Sequence, residues 1–136
     1  MDENELGKII VDSAFQVHTQ LGPGLLESVY EVVLTHEIRQ RGFDVERQVP
    51  IPIVYSGLQF DEGFRIDFFV NQKVIIEVKS VEETRRVHSK QLLTYLKLAN
   101  IRLGYLINFG ADLIKDGISR VVNNAEDWGI RGQKKS

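Results

Sequence analysis

The chain has 136 residues, 43% of them hydrophobic and 26% charged, with no cysteine and with 17 basic against 19 acidic side chains. That length closes one ordinary core but not two, and the composition excludes a disordered or fibrous chain. Without cysteine there is no disulfide, no thiolate nucleophile and no cysteine-held zinc, which leaves oxygen or histidine for any metal.

A pI near 5.9 supplies no global attraction for nucleic acid, although a carboxylate metal site would itself hold several of the negative charges and bound cations would offset them. No apolar run approaches bilayer length, and the start, Met1-Asp2-Glu3-Asn4-Glu5, is acidic where a signal peptide would be basic. The cytoplasm is the expected location, with no membrane partner.

Across residues 6–21 the apolar side chains Leu6, Ile9, Ile10, Ala14, Val17 and Leu21 recur at intervals of three and four, which predicts an amphipathic helix. Gly22-Pro23-Gly24 ends it, because glycine permits a left-handed cap and proline cannot continue a helix. A second helix is expected over 25–41, stopping at Gly42, with Leu26, Val29, Val33 and Ile38 as its apolar stripe. Residues 44–60 are rich in Val, Ile and Tyr, are broken by Pro50 and Pro52, and turn at Ser56-Gly57; they predict an edge strand and a hairpin.

Residues 65–70 and 74–80 predict two strands joined by Asn71-Gln72-Lys73. Opposed residues in an antiparallel pair share a face. A two-residue loop would set Asp67 against Ile76 and mix polar with apolar, whereas a three-residue loop sets Asp67 against Glu77. In that register Ile66, Phe68, Val70, Val74, Ile76 and Val78 form a core face. The other face carries Arg65, Asp67, Phe69, Ile75, Glu77 and Lys79, and its charges gather at the end away from the turn.

A third helix is expected over 82–99, with Val87, Leu92, Leu96 and Ala99 as its stripe and Asn100 as its stop, followed by a strand over 103–109. Strand, helix and strand in succession favour a right-handed crossover, and so a parallel pair in an otherwise antiparallel sheet. Residues 113–122, turning at Asp116-Gly117, predict a last hairpin. One domain over 1–130 and a disordered basic tail over 131–136 complete the chain.

Asp67, Glu77 and Lys79 thus bring two carboxylates and an ammonium to one strand face. Two hard carboxylates can hold Mg²⁺ or Mn²⁺ while leaving waters for a phosphate, and a nearby lysine can orient an attacking water. Cross-strand ion pairing on a solvated sheet explains the same spacing. Glu77 weighs toward a metal or a partner, since it interrupts the apolar strand Val74-Ile75-Ile76-Glu77-Val78-Lys79.

The order Asp67, hairpin, Glu77-Val78-Lys79, then a helix bearing Gln91, resembles the PD-(D/E)XK motif of the restriction-endonuclease-like superfamily. More distinctive is Gly24-Leu25-Leu26-Glu27-Ser28-Val29-Tyr30, which with the preceding His18 and Leu21-Gly22-Pro23 resembles the small bacterial and archaeal GxxExxY proteins. Arg65-Ile66-Asp67, His88 with Gln91, Tyr95-Leu96-Lys97 and Ile107-Asn108-Phe109-Gly110 resemble the same family, so the likeness spans residues 9–123.

The resemblance implies an α/β (α+β) fold: an N-terminal helix pair and a mixed central sheet with a βββαβ core. It implies a Mg²⁺- or Mn²⁺-dependent nuclease that hydrolyses phosphodiester bonds of DNA or RNA by metal-activated water. Asp67, Glu77, Glu27 and the main-chain carbonyl of Val78 would be ligands, Lys79 the catalytic lysine, and Gln91 a residue facing the site. His88 and Tyr95 share the helical face of Gln91; each also has an ordinary reading, His88 as a cap and Tyr95 as a core aromatic. Glu27 equally suits a helix N-terminus through the dipole. Tyr30 would hydrogen-bond near the site or pack, His18 would buttress the helix pair, and Arg65 would clamp a phosphate or pair with Asp67 or Glu77. Arg85, Arg86 and Lys90 form a basic patch suited to a nucleic-acid backbone or simply to solvent. A homodimer fits, since many superfamily members cut two strands. The alternatives are a catalytically inactive nuclease-fold module that binds nucleic acid or protein, and a hydrolase of small nucleotides.

Overall fold

Helix α1, Glu3–Leu21, begins where the Asp2 carboxylate accepts the Glu5 amide at 2.8 Å and ends where Gly22, at φ 71°, donates its N–H to the His18 carbonyl. The computed structural model describes residues 1–124, so the tail expected over 131–136 lies outside the described residues. Helix α2, Glu27–Gln40, completes the predicted pair. Its buried face is Tyr30, Glu31, Leu34, Thr35 and Ile38; of the expected stripe Ile38 is buried and Val33 packs partly buried against the core, while Leu26 is 72% exposed and Val29 38%. The roll of α2 is set by Tyr30. Its hydroxyl donates to the Gly22 carbonyl at 2.5 Å and accepts the Leu25 amide at 3.1 Å, and its ring stacks on Phe109 at 4.5 Å. Adjacent helical positions differ by about 100° in direction, so a face one position away from Val29 is a different face.

Five strands follow: β1 Val45–Tyr55, β2 Leu58–Val70, β3 Val74–Lys79, β4 Leu103–Asn108 and β5 Ile118–Val122. They lie in the order β1-β2-β3-β4-β5, antiparallel throughout except for the parallel pair β3–β4 made by the crossover through helix α3, Arg86–Ala99. This is the mixed sheet with a βββαβ core that was expected. The pairs Val70↔Val74 and Phe68↔Ile76 bear out the three-residue loop, with Asn71 and Gln72 at φ 49° and 54°. β1 is the edge strand that Pro50 and Pro52 require.

Four further expectations change. The strand expected at 65–70 begins at Leu58, so β1 and β2 form one long ribbon turning at Ser56-Gly57; its free end leaves Val54, Tyr55, Leu58 and Phe60 in solvent. α3 begins at Arg86 instead of 82, because the main chain of Val81 is tied to the Asn108 side chain, and Val87 is 60% exposed. The last hairpin is β4 with β5, and the short helix α4, Ile114–Gly117, sits in its connection. Gly117 is buried there, where a Cβ would strike the Asn108 carbonyl; it permits close packing, not a tight turn.

The fourth change concerns the faces of the sheet. Both are covered. α1 and α2 pack on one through Leu6, Ile10, Leu34, Ile38, Phe68 and Ile76, and α3 packs on the other through Leu92 and Leu96 against Ile75 and Leu106. Ile66 belongs to the α3 side, away from Phe68 and Val70 with which simple alternation groups it. The strand switches face between Ile66 and Phe68, at Asp67. Among the described residues no helix is long and apolar enough to cross a membrane.

Candidate active site

The β2–β3 ladder stops at Phe68↔Ile76, while β3 goes on pairing with β4 as far as Lys79↔Asn108. A gap therefore opens between β2 and β3 where Asp67 and Glu77 stand, and their carboxylates replace the missing ladder. Glu77 Oε1 accepts the Asp67 amide at 3.2 Å, and Asp67 Oδ2 accepts the Val78 amide at 2.9 Å. Each side chain satisfies a main-chain donor of the opposite strand that would otherwise be orphaned.

Holding two carboxylates together out of water disfavours charge on both. Burial, reinforced by the charge of Asp67, pushes the Glu77 carboxyl up to about 8. Burial also raises Asp67, against the Val78 amide that favours its ionised form; the charge of Glu31 adds to the rise. The Lys79 ammonium pulls both in the other direction. Asp67, Glu77 and Lys79 are thus brought together as expected.

From α3, Gln91 hydrogen-bonds Tyr95, whose phenol is raised by burial and by the charges of Glu77 and Asp67, so this pair borders the carboxylates. Tyr95 also stacks on Phe64 of β2, ring centroids 4.2 Å apart. His88 caps the helix: its Nδ1 accepts the Arg85 amide at 3.0 Å. Arg85, Arg86 and Lys90 are exposed around the same helix start.

Other expected residues lie apart. Arg65 pairs with Glu62 at 2.5 Å and donates to the Gln48 carbonyl at 3.2 Å, so neither Asp67 nor Glu77 is its partner. Tyr30 staples the α1–α2 loop, and His18 Nε2 meets the Ala111 carbonyl at 2.9 Å, buttressing α1 on the loop after β4. Glu27 is exposed and lines a cleft of about 780 Å³ with Leu25, Ser80 and Glu82, beginning one residue past Lys79.

Two residues that sequence reasoning did not single out stand beside Asp67. Glu31, 8% exposed, is the α2 carboxylate whose charge reaches it, and Gln48 of β1 donates to Glu31 Oε1 at 2.6 Å. A stripe drawn through Tyr30, Leu34 and Ile38 would have shown Glu31 on the buried side. Nothing local marks Gln48.

The donor set suits a hard cation. Among the described residues no three His, Cys, Asp or Glu side chains form a metal cage, but Mg²⁺ is commonly held by one or two carboxylates with waters and substrate phosphate completing its shell. Two half-buried carboxylates that resist joint ionisation are what a divalent charge would relieve. The family model of the PD-(D/E)XK nuclease superfamily matches residues 4–121, spanning every element from α1 to β5. The chain belongs to that superfamily. No curated protein matches the sequence.

Proposed function

We propose that this PD-(D/E)XK domain hydrolyses phosphodiester bonds of DNA or RNA with the help of Mg²⁺ or Mn²⁺. The observation that carries the reading is the interlocked pair, two carboxylates filling a break in the sheet with a lysine beside them. Asp67, Glu77 and the Val78 carbonyl would hold the ion. Once bound, it supplies charge neutralisation at the phosphate and lowers the pKa of water.

The chain's own groups do the rest. Lys79 orients the attacking water and offsets negative charge developing on the phosphoryl oxygens. Gln91, tethered to Tyr95, supplies an amide at the rim, and Glu27 lines the cleft beyond Ser80. The basic side chains at the start of α3 hold the backbone of the polymer, compensating for an acidic whole. A homodimer would present two such sites to a duplex in the cytoplasm; sedimentation would report it.

With Mn²⁺, purified protein is expected to nick supercoiled plasmid or cleave RNA, and Lys79→Ala to lower the rate about 100-fold or more with unfolding unchanged. Equal activity in that variant sinks the assignment. Cleavage confined to small nucleotides would redirect it to a nucleotide hydrolase.

A further inference from the structure

At Gln48 the β1–β2 ladder misses a step. The pairs run from Arg47↔Phe68 to Val49↔Ile66 and pass over Gln48 and Asp67 between them. Gln48 stands at φ 53°, a left-handed conformation that residues with a Cβ adopt reluctantly. Something must hold it there. Its side-chain amide donates to Glu31 Oε1 at 2.6 Å, and its carbonyl accepts from Arg65 at 3.2 Å. Glu31 also accepts from Arg47 at 3.4 Å.

The left-handed residue coincides with a change of face on both strands. Arg47 turns to Glu31 on α2 while Val49 packs in the α3-side cluster; opposite them, Phe68 packs with α1 and α2 while Ile66 joins the α3 side. A side chain in regular alternation stands out of the sheet. Asp67, at the switch, instead reaches an in-plane donor, the Val78 amide at 2.9 Å.

We infer that Glu31 is a positioning residue: by holding Gln48 in its left-handed turn it fixes the face switch that lays the Asp67 carboxylate across the gap between β2 and β3. The consequence for metal binding and cleavage rests on the function proposed above; the geometric part does not. Glu31 acts through hydrogen bonds and Gln48, without itself touching the ion or the substrate.

Three variants separate the roles. Glu31→Ala removes the acceptor. Glu31→Gln keeps an acceptor for the Gln48 amide but removes the charge. Glu31→Ala with Gln48→Gly removes the contact yet eases the turn, because glycine takes positive φ without a Cβ clash. The readouts are the amide resonances of Asp67 and Val78 in metal-free protein, Mn²⁺ uptake by calorimetry, and kcat and KM for plasmid nicking.

Glu31→Ala is expected to shift both resonances, weaken Mn²⁺ binding about 10–100-fold and lower kcat with KM for DNA unchanged. Both Glu31→Gln and the double variant should recover resonances and binding. If Glu31→Gln is as defective as Glu31→Ala and glycine gives no recovery, Glu31 works by its charge as a direct ligand and the inference falls. It falls also if Glu31→Ala leaves the two amides and Mn²⁺ uptake unmoved. Should Glu31→Ala not fold, Gln48→Ala must reproduce the amide shifts, and unmoved amides there overturn the inference. Wild-type protein that neither takes up Mn²⁺ nor cuts nucleic acid would refute the proposed nuclease instead, while the amide resonances still decide the role of Glu31.

Discussion

Glu77 sits between Ile76 and Val78 in a strand buried on both faces, and its carboxyl faces Asp67 with Lys79 as the nearby opposite charge. In the unfolded chain it ionises near 4.5, in the fold only near 8. Between those values the unfolded state binds fewer protons, so the stability of metal-free protein should be full below about pH 4.5 with respect to this group and fall as pH rises toward 8. Chemical denaturation from pH 5 to 8 without metal measures that slope, and Glu77→Gln, which cannot ionise, should flatten it. Tyr30, the tyrosine of the family-like signature, serves architecture: Tyr30→Phe loses two hydrogen bonds in the α1–α2 loop and should cost about 1–2 kcal/mol in urea unfolding. Reading Tyr30 from its spacing alone could not decide between site and packing, because a tyrosine three residues beyond a glutamate suits either until the partner of its hydroxyl is known.

Each element was recognisable where the hydrophobic period was long and undisturbed: α1, β3 with its three-residue turn, and the crossover to β4. Departures occurred where tertiary contacts override local preference. Residues 80–85 have the polar composition of a helix start, yet Asn108 holds Val81 by both its amide and carbonyl at 3.0 Å, and the same oxygen accepts the Gly110 amide. That clamp ties the segment following Lys79 to the end of β4. Asn108→Ala leaves several buried main-chain groups without partners and should cost about 3 kcal/mol or more, read by urea unfolding. Gly110→Ala should destabilise as well, since a Cβ there would overlap the main chain of Val81.

For the molecule as a whole, the sheet is sandwiched between α1 and α2 on one side and α3 on the other, and the candidate site is the slot where β2 parts from β3 between those layers. A slot lined by two carboxylates is an electrostatic liability that a cation should relieve. Mn²⁺ at about 100 times its Kd should add about 2.7 kcal/mol of stability, raise Tm by several degrees, and lose the effect on chelation. Asp67→Ala should abolish that shift; an equal rise in the variant would place the ion elsewhere.

The sequence by itself determined the helix pair, the β2–β3 register and the identity of the pair Asp67 and Glu77, because side-chain period and loop length follow from covalent geometry. Only the tertiary structure decided that the ladder breaks there, that α2 turns Glu31 inward while Glu27 faces the cleft, and that Arg65 reaches Glu62 and the Gln48 carbonyl. Helix roll and strand faces are set by which layers close over them, and a left-handed glutamine opposite the site has no signature in one dimension. Its partner, Glu31, is seventeen residues away and on another layer.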